Sequence, residues 1–74
     1  MNIIEALVLL RENNVAWSSV ADGYYLFIDE NSDIRETIKI IFKLKPIFNP
    51  RTFSNEEIIL IAKFIKNPKL KLLI

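Results

Sequence analysis

The side chains able to do chemistry in this chain are hydroxyls, carboxylates and amines, because it holds no histidine and no cysteine. Ser18, Ser19, Ser32 and Ser54 therefore lack an imidazole to take a proton from a nucleophilic hydroxyl, and none has a lysine three residues on. The carboxylates come in adjacent pairs, Asp29 with Glu30 and Glu56 with Glu57. Neighbours in sequence diverge on a helix or strand instead of facing one substrate. Asp29, Asn31 and Asp33 echo the opening of a calcium loop, without its glycine and its closing glutamate at the required offsets. A phosphate-cradling loop needs several glycines, and the chain has one. These residues predict a protein that is not an enzyme and has no cofactor and no metal site.

Charge points instead to binding. The 74 residues carry a net charge of +1, but its sign is segregated. Residues 1–38 hold two cations against seven carboxylates, a net of −5, and residues 39–74 hold eight cations against two carboxylates, a net of +6. Charge sets of this kind are ordinarily solvated faces that partly neutralise each other. The alternative is a bipolar surface, with Asp29, Glu30, Asp33 and Glu36 forming an acidic edge for a basic partner. The basic half offers a second reading. Lys63, Lys66, Lys69, Lys71 and Arg51 are positioned to follow phosphates, and Phe48, Phe53 or Phe64 to stack on bases. Against it stand a pI near 8.0, low for a basic domain, and Phe64's place among core aliphatics.

The elements that must position these residues follow from periodicity and end signals. Asn2 to Glu12 reads as a helix, with Ile3, Ala6, Leu7 and Leu10 on one face and Asn13-Asn14 as its stop. Val15–Val20 and Tyr24–Ile28 read as strands, and Asp22-Gly23 between them is a strong hairpin signal. Residues 33–44 fit either period. Ser32 as a cap, Asp33 and Glu36 in the first turn, Lys43 and Lys45 at the end and Pro46 beyond favour a helix. Ile47 to Phe53 reads as a connector, bounded by Pro46 and Pro50. Ser54 with Glu57 is a capping box opening a helix over Asn55–Lys66, closed by Pro68. The tail from Lys69 alternates weakly, as a short strand or loose end. The expectation is one small α+β domain spanning residues 1–74, ordered α-β-β-α-α with one β-hairpin.

So small a chain buries only about 60% of its unfolded surface and commonly needs help, which without cysteine leaves oligomerisation. The last helix is apolar almost all round, since Ile58, Ile59, Leu60, Ile61, Ala62, Phe64 and Ile65 leave only Glu56, Lys63 and Asn67 as a polar strip. A tightly wrapped core with a few exposed aliphatics is one explanation. The expectation drawn here is a homodimer through Ile59, Leu60 and Phe64. Apolar runs reach only five residues, Ala6–Leu10 and Ile58–Ala62, against the roughly 20 of a membrane span. Met1–Glu5 lacks a basic leader, so a cytoplasmic, membrane-free protein is expected.

The whole run from Met1-Asn2-Ile3-Ile4-Glu5-Ala6-Leu7 through Tyr24-Tyr25-Leu26-Phe27, with its Ile, Lys and Asn richness, resembles the very short host-takeover proteins of staphylococcal phages. Within that group it is similar to inhibitors of the bacterial DNA polymerase sliding clamp. The resemblance implies a non-enzymatic inhibitor that stops host DNA replication by lodging in the clamp's DNA channel, acting in the host cytoplasm. It transfers no residue-level motif. A channel that rides on phosphates is basic, and the acidic half suits it. Leu26-Phe27 superficially matches the end of a clamp-binding peptide, but lies mid-strand with no preceding glutamine and reads as core.

Overall fold

The computed structural model describes residues 1–43 and 51–73. Helix α1 (Ile3–Glu12) is opened by Asn2, whose side-chain oxygen accepts the Glu5 N–H at 2.8 Å. It ends where Asn14 turns left-handed (φ 65°). The Asn14 N–H then donates to the Arg11 carbonyl at 3.0 Å and the Val15 N–H to the Leu10 carbonyl at 2.9 Å. Leu10 and Val15 are both buried, so the same two residues close the backbone ladder and join the core.

That tight corner launches an antiparallel sheet in the order β1-β2-β3: β1 (Ala16–Val20), β2 (Gly23–Phe27) and β3 (Thr52–Phe53). Trp17 pairs with Leu26 and Ser19 with Tyr24, while Tyr24 pairs across with Phe53. Alternation turns Trp17, Tyr24, Leu26 and Phe53 towards the helices. It leaves Phe27 53% exposed, so the reading of Leu26-Phe27 as a core pair holds for Leu26 alone. The hairpin also closes by a different chemistry from the one its Asp-Gly pair announces. Neither Ala21 nor Asp22 has positive φ, which the mirror-image turn requires at both central residues. Gly23 carries it instead, at φ 137°. A Cβ there would lie 2.3 Å from the Phe53 carbonyl oxygen, so the glycine also lets β3 approach.

Helix α2 (Asp33–Phe42) settles the ambiguous segment as a helix. Ser32 Oγ accepts the Arg35 N–H at 3.2 Å, and Lys43 ends the helix in the left-handed region (φ 51°). Residues 44–50, with the Pro46 stop, most of the connector and Phe48, lie outside the described residues. The connector's last two residues form β3, a strand the sequence reading did not contain. Helix α3 (Asn55–Lys66) has the expected bounds and a complete capping box. Glu57 Oε1 accepts the Ser54 N–H at 3.0 Å, and Ser54 Oγ accepts the Glu57 N–H at 3.3 Å. The tail is neither a strand nor loose: Pro68–Leu73 forms a 3₁₀ helix. It packs against α3 and α2.

The expected α+β domain is thus present, with β3 added between the last two helices. Its core joins Ala6, Leu7 and Leu10 of α1, Leu26 and Phe53 of the sheet, Ile38 of α2, and Ile58, Ile61 and Ala62 of α3. Arg51 locks one seam. Its guanidinium stacks 4.3 Å from the Phe53 ring centre and 5.2 Å from that of Phe42, and its Nη2 lies 2.8 Å from Glu57 Oε2.

Candidate functional site

The acidic residues singled out by sequence follow one another along one exposed stretch of chain, a ledge running from the end of β2 into the first turns of α2. Asp29 folds it: its Oδ1 accepts the Asn31 N–H at 2.9 Å and its carbonyl accepts the Ser32 N–H at 3.1 Å. Arg35 ties α2 back to the strand by donating from Nη2 to the Ile28 carbonyl at 3.2 Å. Thr37 Oγ1, on a buried residue, donates to the Asp33 carbonyl at 2.9 Å. Asp29, Glu30, Asp33 and Glu36 are all exposed. Only the last of the four forms an ion pair among the described residues, with Lys39 Nζ 3.2 Å from Glu36 Oε1. Asp33 and Glu36 also face the positive end of the α2 dipole, which favours negative charge there. Among the described residues no three acidic groups gather closely enough to hold a metal ion, so the ledge presents separate charges along its length.

The apolar residues expected to pair two copies are placed differently. Phe64 is 8% exposed and Ile59 packs on the core, leaving Leu60 at the surface at 36%. The apolar excess of α3 is absorbed within the chain, because α1, α2, β2 and the 3₁₀ helix all pack on it. Exposed aliphatic surface instead runs along α1, where Ile4 is 70%, Val8 51% and Met1 43% exposed. These three and Leu9 line an open groove of about 350 Å³ rimmed by Glu5, Glu12 and Lys66. The sequence showed the apolar excess of α1 but not which side would stay uncovered, because that depends on where α3 docks.

In the basic half Lys63 and Lys66 line one groove beside Asn67 and Leu70, and the side chain of Lys71 lies outside what the structure describes. Lys63, Lys66 and Lys69 are exposed, whereas Arg51 is held by Glu57 and its two rings. Phe53 (1% exposed) and Phe64 are buried, so neither offers a face to a base. Burial opposes ionisation of Glu57, but the Ser54 N–H and the Arg51 guanidinium outweigh it and hold the carboxyl below its ordinary range.

Among the described residues no helix is long and apolar enough to cross a membrane. Compared with family models, curated proteins and solved structures, the chain matches none of them.

Proposed function

We propose that this protein works without catalysis, as an inhibitor that binds a basic surface of another protein through the ledge of Asp29, Glu30, Asp33 and Glu36. The observation that carries the reading is the ledge itself: exposed carboxylates on a backbone shaped by the Asp29 turn and the Ser32 cap, three of them without a cation partner among the described residues. A backbone already shaped lowers the ordering a partner must supply, and the charges steer the encounter. The resemblance to staphylococcal phage proteins names the partner to test, the DNA polymerase sliding clamp of the host, whose basic channel an acidic plug would fill. The measurement is association of the purified chain with purified clamp. Asp29→Lys with Glu30→Lys slows association several-fold and added salt does the same, while a rate indifferent to both removes the reading. The nucleic-acid alternative predicts tight binding to bare DNA or RNA with a steep salt slope, abolished by changing Lys63, Lys66, Lys69 and Lys71.

A homodimer belongs to the same proposal, moved from α3 to α1. The α1 groove carries an apolar floor with both acids and a base on its rim, so a second copy turned by a two-fold axis sets Lys66 against Glu5 or Glu12. Sedimentation is expected to give about twice 8.7 kDa, and Ile4→Lys to return a folded monomer. A wild-type monomer at every concentration rules the dimer out.

A further inference from the structure

Across the tight corner after α1, the turn after β2 encloses a cleft of about 250 Å³ lined by Asn13, Asn14, Val15, Asp29, Asn31 and Ile34, among others. We propose that this cleft receives a single cationic side chain, lysine or arginine, from the protein partner. The proposal rests on the protein-binding reading above and gives it a definite point of entry.

Size, walls and charge agree. The cleft is smaller than the roughly 300–1,000 Å³ of small-molecule sites, which suits one long side chain better than a cofactor. Its apolar wall, buried Val15 and half-buried Ile34, matches the aliphatic stem shared by lysine and arginine. One of the two amide N–H groups of Asn13 donates to the Leu9 carbonyl at 2.8 Å, which orients the amide, and its oxygen accepts no hydrogen bond among the described residues. Asp29 spends Oδ1 on the Asn31 N–H at 2.9 Å, which fixes the carboxylate and leaves Oδ2 without a donor among the described residues. Among the described residues Asp29 is also the sole charged one lining the cleft, so an anion is repelled and a cation is matched. Arg35, close in sequence, donates to the Ile28 carbonyl and does not line it.

The test is a ¹⁵N–¹H NMR titration of the full chain with N-acetyl-arginine amide and N-acetyl-lysine amide, and with the neutral isostere N-acetyl-citrulline amide. Shifts concentrated at the Asn13, Asn14, Val15 and Asn31 amides are expected with the two cations and not with citrulline. Asp29→Asn keeps the side-chain oxygen that folds the turn and removes the charge. It is expected to weaken the cations on the order of tenfold, as for loss of a charge-assisted hydrogen bond. Glu30→Gln, outside the cleft, is expected to change binding by about twofold or less. Shifts spread evenly over residues 29–36, equal losses from the two variants, or equal binding of citrulline each overturn the cleft. Binding of the variants to purified clamp separates the two proposals. Clamp binding that loses no more from Asp29→Asn than from Glu30→Gln fails the cleft and keeps the ledge. Localised cation shifts with no clamp binding fail the clamp and keep the cleft.

Discussion

Gly23 shows how one residue type can be visible in a sequence while its reason is not. The Asp-Gly pair located the hairpin, but the glycine is needed one step beyond the turn, where its backbone has positive φ and the Phe53 carbonyl passes close by. Gly23→Ala therefore meets two obstacles, an unfavourable φ and a backbone oxygen that cannot swing aside. The backbone strain alone is about 1–3 kcal/mol, read as a lower urea midpoint, and loss of the β2–β3 pairing would add to it. A variant as stable as the parent would show that β3 approaches β2 in another way. Glu57 gives a pH prediction. Its folded carboxyl binds a proton more weakly than the unfolded one, so its contribution is complete above the ordinary glutamate value of about 4.3. The contribution is lost as pH falls through the lower folded value. Glu57→Gln is expected to flatten that part of the stability profile, measured by urea unfolding from neutral to acidic pH.

Elements were legible in proportion to how much of their definition is local. Helix α3 announced both ends, through Ser54 and Glu57 at one and Pro68 beyond the other, and its bounds agree with the expectation. In α2 both periods fitted, and the cap and charge placement decided correctly because a helix end needs partners for its unpaired backbone groups. Strand β3 was missed for the converse reason: two residues after Pro50 have no period, and what makes them a strand is pairing with Tyr24 and Tyr25, far away in sequence. One weak point at this scale is Lys43, a left-handed residue with a Cβ at the end of α2. Lys43→Gly removes that conflict and is expected to raise stability by about 0.5–1 kcal/mol, seen as a higher thermal midpoint. A lower midpoint would mean that the lysine side chain contributes more than its backbone strain costs.

For the whole molecule, size sets the margin. A chain of 74 residues has a total stability of about 4–11 kcal/mol. Phe53 is 1% exposed and joins the sheet to the core, so Phe53→Ala, at about 3–5 kcal/mol, is expected to remove between about a quarter of that margin and all of it, read as a lower urea midpoint. A midpoint close to the parent's would place the stabilising centre elsewhere. The candidate surface was partly legible at this scale. Asp29, Glu30, Asp33 and Glu36 are close in sequence, so any fold keeps them close in space, and the structure adds the turn and cap that shape the backbone between them. The cleft beside Asp29 was not legible, because Asn13 and Val15 reach it only through the left-handed corner at Asn14. Nor was the fate of Phe64 and Ile59, which depends on four neighbouring elements closing round α3.

Trp17 sits where the first helix meets the sheet. Its indole N–H donates to the Leu7 carbonyl at 3.1 Å, the Arg11 guanidinium lies 4.5 Å from its ring centre, and Tyr24 meets it edge-on at 5.8 Å. It is the chain's one tryptophan, so fluorescence from this protein is in effect a signal from a single seam. The colour of its emission follows the docking of α1 on the hairpin, whereas tyrosine excitation passed to that indole, from Tyr24 and Tyr25 on β2, follows the hairpin itself. Circular dichroism instead averages over all the helices. If the two signals change together on unfolding, the domain melts as one unit; if the emission reddens first, α1 leaves before the rest.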